Sequence, residues 1–286
     1  MRPFLAVLLA VIALPLFAQT PLIEQGRAAM NRNDADAAAT LLEKAVAQNP
    51  KSAEAHYLLG TAYGSQAQKA SIFGQASLAG KTKDEFEKAV ELDPNLLDAR
   101  YGLVEFYAMA PGFMGGSYDK AFAQAAEIKK HDPLMAHRAA AFIYLHQKKT
   151  DEARNEYLAE VREYPKSARA HIDLGVSYIV EKNFKAAAEE FENAAKVEPT
   201  YMPVYFRLGQ GAVITNSNYA HGEEALRKYL AYTPKTDEPS HARAHYWLGQ
   251  IFEKQGKKAE AKASFAMSLK LNPAQKDVAE ALKRVS

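Results

Sequence analysis

Apolar residues along this chain recur at helical spacing, and the same arrangement returns many times. In the stretch 168–199, Leu174, Gly175 and Tyr178 fall on one face of a first helix, and Ala187, Phe191 and Ala194 fall on one face of a second. Gly175 and Ala187 are small where two backbones have to approach, and Tyr178 and Phe191 are bulky beside that contact. Pro199 then ends the helix, because it lacks a donor and disfavours helical geometry at Glu198. Three nine-residue segments carry nearly the same letters: AHYLLGTAY at 55–63, AHIDLGVSY at 170–178 and AHYWLGQIF at 244–252.

Prolines set the period. Pro50, Pro94, Pro133, Pro165, Pro199, Pro234 and Pro273 each close a run of helix formers, at intervals of 44, 39, 32, 34, 35 and 39 residues. A period near 34 with insertions predicts an all-α chain of stacked helical hairpins, each unable to bury its apolar face alone. The hairpins are expected near 19–52, 53–96, 97–133, 134–167, 168–201, 202–236 and 242–273. The tail 274–286, apolar at Val278, Leu282 and Val285, is expected to cap the last of them.

Two units are longer than the period. Ten extra residues between Gly60 and Pro94 read as helical, which predicts that both helices of that hairpin gain a turn or more. Five extra residues between Leu103 and Pro133 fall in MAPGFMGGSYDK, where Pro111 and the glycines predict a loop and Ser117 the cap of the next helix.

The repeat resembles the tetratricopeptide repeat, a 34-residue helix-turn-helix unit, over residues 19–273. Leu248, Gly249, Phe252, Ala261, Phe265 and Pro273 fall on that family's offsets, as do their counterparts from 168 to 201. The resemblance implies a right-handed superhelical solenoid with a concave groove lined by first-helix positions 2, 5, 9, 12 and 13. Position 5 then holds Tyr57, Tyr101, Arg138, Ile172, Phe206 and Tyr246, position 2 holds Arg169 and Arg243, and Gln250 stands at position 9. Aromatic rings offer contact area at little entropic cost, and the arginines can pair with carboxylates. The alternative for these rings is packing against neighbouring helices. Family members that clamp a carboxylate use Lys at position 5 and Asn at position 9; here those places hold Tyr57 with Thr61, Ile172 with Val176 and Tyr246 with Gln250, which argues against such a clamp.

Lys+Arg of 36 against Asp+Glu of 34 leaves a net charge of +2, which removes nucleic acid from the expected partners. No cysteine is present, so disulfides, thiolate metal sites and thiol nucleophiles are excluded. The opening MRPFLAVLLAVIALPLFA has one cation, an apolar run, Pro15 and small Ala18, the pattern of a signal peptide spanning 1–18. Its apolar run is shorter than a membrane-spanning helix needs, so the expected destination is the periplasm or beyond, with no membrane segment in the mature chain.

His56, His137, His171 and His245 share the fourth position of their repeats. Equivalent positions on stacked hairpins are about 10 Å apart, too far for a shared metal, so they are expected to pack. PGFMGG lacks the ending of a phosphate loop, and no nucleophile–base pattern occurs. The expectation is a non-enzymatic scaffold without cofactor or metal, binding an unidentified protein or extended peptide in its groove. A small-ligand receptor or accessory protein of a transport system is the alternative, with the insertions at 64–82 and 109–119 closing a pocket.

Overall fold

The computed structural model describes residues 19–235 and 238–286, so the expected signal peptide lies outside the described residues. Among these there are fifteen α-helices and no strand. They pair as α1 (Gln19–Asn31) with α2 (Ala35–Gln48), α3 (Ala53–Ala67) with α4 (Ile72–Leu92), and α5 (Leu97–Met109) with α6 (Tyr118–Lys129). The series continues with α7 (Pro133–His146) and α8 (Thr150–Glu163), α9 (Ala168–Val180) and α10 (Phe184–Val197), and α11 (Pro203–Ile214) and α12 (Tyr219–Leu230). The last hairpin is α13 (His241–Lys254) with α14 (Lys258–Leu271), covered by α15 (Lys276–Arg284).

Local chemistry starts and stops these helices at repeating places. The hydroxyls of Ser52, Ser167 and Ser240 accept from the backbone N–H groups of Ala55, Ala170 and Arg243, which caps α3, α9 and α13. In five of the hairpins the turn places a residue at positive φ: Asn33, Lys148, Lys182, Asn216 (with Asn218 beside it) and Gly256. Only the last of these is glycine, so four repeats bear a side chain in a conformation that resists one.

Five of the hairpins close on a glycine facing a large side chain. A Cβ added at Gly175 would stand 2.7 Å from the Phe191 ring, and one at Gly249 would stand 2.5 Å from that of Phe265. Gly60 and Gly102, from successive hairpins, both abut Phe86, so that one ring is gripped from two sides. First helices also pack on first helices (α1 on α3, α3 on α5, α5 on α7, α9 on α11, α11 on α13), which makes them the tighter layer of the stack. A stack whose first helices touch side by side curves around them, and they line its groove. On α15 Val278 is buried and Leu282 partly buried, and Val285 just after its end is buried, as the tail pattern predicts; Ala281 joins them against the core that holds Phe265.

The insertions resolve differently. α4 runs for 21 residues whereas α3, at 15, is one residue longer than α13, so the expected lengthening of both helices is corrected: α4 takes the extra residues. A turn at 68–71 stops α3, and the first turn of α4 projects Ile72 and Phe73 into solvent. The second insertion is the expected loop. It contains a 3-10 turn at Gly112–Met114, Gly115 at φ 96°, and Ser117 accepting from Lys120 N–H at the start of α6. Gly116 admits no side chain, since a Cβ there would meet the Ala110 carbonyl oxygen.

Candidate functional site

The two insertions meet. The 3-10 turn touches α4, and together with α3 and α5 they wall a half-open cavity of about 480 Å³ in the groove. Tyr57, Phe86, Tyr101 and Phe106 supply its rings, Met109 and Met114 its outer lip, and Asp98 and Glu105 its charge. A larger hollow of about 860 Å³ lies between the α1–α2 turn and the end of α14. Its walls come from helix ends and turns around Arg32, Asp36, Lys69 and Asn272, and it contains none of the groove residues.

Tyr57 and Tyr101 are half-buried. Tyr57 lies 6.0 Å from the Phe86 ring, and Tyr101 lies 6.4 Å from that of Phe142. Burial raises both phenol pKa values, and nearby carboxylates add to it: Asp98 and Glu105 at Tyr57, Glu105 at Tyr101. Glu105 itself is exposed along the groove yet walled by protein, and that partial desolvation raises its carboxyl pKa as well.

Further along, one carboxylate holds two guanidinium groups. Arg138 Nε is 3.1 Å and Arg169 Nε 3.0 Å from Asp173 Oδ2, and Arg138 also lies over the Tyr101 ring at 5.6 Å. Asp173 stands four residues after Arg169, a helical pair legible in the sequence once Arg169 is singled out. At the last repeat, Arg243 lies over Tyr246 at 4.5 Å and donates to Asp277 at 2.7 Å. Gln250 stays half-exposed on α13.

Two expected groove residues are corrected. Ile172 and Phe206 are each 4 % exposed and belong to the core: Ile172 packs with Ala168, Ala194 and Val204, and Phe206 meets the Tyr229 ring edge to face at 5.6 Å. Neither carries a polar tip that must reach water, so nothing holds them out of the core.

The expected site residues do not include a buried acid that lies near this cluster. Glu160, on α8, is fully buried, and neither carboxyl oxygen has a hydrogen-bond partner. Burial, reinforced by Asp173, raises its pKa to about 8. It occupies the offset that Ala45 and Ala194 fill in other repeats, and that departure from a small residue is the signal that could have found it.

The histidines do more than pack. His56, His137 and His171 are buried, and each Nδ1 lies 2.5–2.8 Å from a glutamate of the neighbouring second helix: Glu85, Glu156 and Glu190. In two of them Nε2–H donates to a proline carbonyl, Pro50 at 3.0 Å and Pro165 at 3.1 Å. His245 makes no such pair, and burial together with His241 lowers its pKa. Among the described residues no three potential ligands gather as a metal site, and no helix is long and apolar enough to cross a membrane.

Comparison with known proteins places this architecture. The solved structure of a tetratricopeptide repeat protein from Parabacteroides merdae shares the fold at 16% identity and a TM-score of 0.50, covering 94% of this chain and 99% of that one. The Cut9–Hcn1 hetero-tetramer of the APC/C matches at 16% identity and a TM-score of 0.52, over 93% of this chain and 48% of that one. Yeast Tom70 matches at 14% identity and a TM-score of 0.52, over the whole of this chain and 66% of that one. A type IV pilus assembly protein of Pseudomonas aeruginosa, PilF, is 31% identical over 136 residues, 48% of this chain; the chain spans about half the length of that curated relative, 52%. The family model for the tetratricopeptide repeat matches residues 23–70, 138–203 and 212–282. With its hairpins, close-contact glycines and repeat period all in agreement with that match, the chain belongs to the tetratricopeptide repeat family.

Proposed function

We propose that this protein is a non-enzymatic periplasmic scaffold that holds an extended segment of a partner protein along its first-helix groove. The tetratricopeptide fold suggests a protein–protein interaction scaffold in general. The observation that carries the finer reading is the division among position-5 residues: Tyr57, Tyr101 and Tyr246 remain half-buried while Ile172 and Phe206 join the core. Rings held with one face on protein and an edge at water are the anchors that interfaces use. The match to a protein named for pilus assembly supports an assembly role. Arg138, Arg169 and Arg243 already have carboxylate partners, so they frame the groove and leave recognition to the rings.

The test is site-specific photocrosslinking in intact cells, with the photoreactive residue at Tyr57, at Tyr246, or at the outward Lys185. Protein adducts in the periplasmic fraction from the two groove positions, and none from Lys185, are the expected result. Equal adducts from all three, or none from the groove, would remove the reading.

A second reading, a small-ligand receptor or transport accessory protein, has its own support in the half-open 480 Å³ cavity that both insertions help to wall. Native mass spectrometry distinguishes it, since a co-purifying small molecule is expected only there.

A further inference from the structure

The last repeat contains an internal template for a ligand site. Arg243 stands at the second position of its repeat, lies 4.5 Å over the Tyr246 ring at the fifth, and pairs at 2.7 Å with Asp277, the second position of the following unit. Ring, cation and carboxylate form a closed set. Tyr57 and Asp98 hold the same two registers five repeats earlier. The residue equivalent to Arg243 there is Glu54, which pairs away with Arg27. Among the described residues no Lys, Arg or His comes within ion-pair distance of Asp98 or Glu105, and none lies over the Tyr57 ring; Arg138 and His146 act on Glu105 only from farther off. Both carboxylates are near enough to Tyr57 to act on its hydroxyl.

We propose that the cavity between α3, α4 and α5 receives a lysine or arginine side chain from the bound partner segment. The cation lies against the Tyr57 ring and between Asp98 and Glu105, completing the set that Arg243 completes at the other end. Its aliphatic stem runs over Phe86 and Phe106, which supply apolar wall where a bare metal ion or small anion would find none. Because the cavity is a half-open widening of the groove, a side chain entering from a segment laid along the first helices suits it. This inference rests on the groove reading above and adds the residue class that the groove selects.

The test is messenger-RNA display of random dodecapeptides against the purified protein and against the Asp98→Asn, Glu105→Gln double variant. Both carboxylates are exposed and neither forms an ion pair within the chain, so the variant should fold; circular dichroism checks it. The expected result is an enriched set with Lys or Arg at one fixed position, whose affinity falls at least tenfold on the double variant and on replacement of that residue by Leu. Enriched peptides without a fixed cation, or with one that the double variant does not weaken, overturn the inference and leave the groove reading standing. If no peptide is enriched, both fall. Titration with free lysine methyl ester then reports whether the cavity instead serves a small cation.

Discussion

Phe206 meets Tyr229 edge to face, with ring centroids 5.6 Å apart, and Tyr229 in turn donates its hydroxyl to the Pro239 carbonyl. The phenol thereby stays buried with its donor satisfied, and Phe206 closes the core over it. Phe206→Ala should therefore cost stability, about 3–5 kcal/mol, the range for truncating a buried ring. Tyr246→Ala, which removes a half-buried ring, should cost about 1–2 kcal/mol by the smaller area returned to water. Urea unfolding followed by circular dichroism checks the order; equal losses would mean that Tyr246 is as much core as Phe206.

The αL turn residues offer the opposite sign. Lys182 sits at φ 60° between α9 and α10, the place held at φ 73° by Gly256 between α13 and α14. Lys182→Gly removes a side chain from a conformation that costs about 1 kcal/mol for L-residues, against a comparable gain in unfolded-chain entropy. The net should be neutral to about 1 kcal/mol stabilising, whereas Gly256→Ala should destabilise by about 1 kcal/mol. Thermal melts of the two variants, made side by side, would expose a wrong sign in either.

His171 bridges the Pro165 carbonyl and the Glu190 carboxylate at 3.1 and 2.6 Å. His171→Phe keeps a ring in the slot but strands a carbonyl and a carboxylate in a nearly closed site, which should cost about 1–3 kcal/mol. An unfolding midpoint equal to that of the parent would show that the ring serves by shape alone, the role its position in the repeat suggests.

Much of the fold is legible because its signals are local and repeated. Pro199 must end α10, Gly175 must face Phe191, and Ser117 caps α6 where the loop glycines release the chain. The insertion before Thr82 is legible only in part, since KASIFGQASLAG contains no proline and its glycines, Gly74 and Gly80, fall inside α4, so nothing in it shows that α3 stops at Ala67 while α4 alone extends. At the groove, offset names the residues but not their depth. Tyr57 and Phe206 share position 5, and what separates them is a place on the cavity wall in one and a ring partner, Tyr229, in the other. The cluster around Asp173 depends on Arg138 reaching it from the preceding repeat, a contact between repeats that no single helix period reveals.

Glu160 provides the sharpest pH dependence. In the unfolded chain its carboxyl titrates near 4.5; folded, burial first and then Asp173 move it to about 8, with Arg138 and Arg169 opposing. Between those values the folded protein holds a proton that the unfolded chain has released. The contribution to stability is thus complete below about 4.5 and is lost as pH rises through about 8. Glu160→Gln keeps the volume and cannot ionise, so it should be near neutral at pH 5 and stabilising at pH 9. The gain there should be on the order of 2–4 kcal/mol, since each tenfold change in a proton-binding equilibrium is worth about 1.4 kcal/mol. Glu160→Ala, which restores the residue found at Ala45 and Ala194, should show the same loss of pH dependence with an added cavity cost of about 1–2 kcal/mol at both pH values. Urea midpoints of parent and variants from pH 5 to pH 9 decide it. Parallel profiles for parent and Glu160→Gln would mean that this carboxyl titrates alike in the folded and unfolded chain, and that its burial against the Asp173 cluster exerts no electrostatic strain.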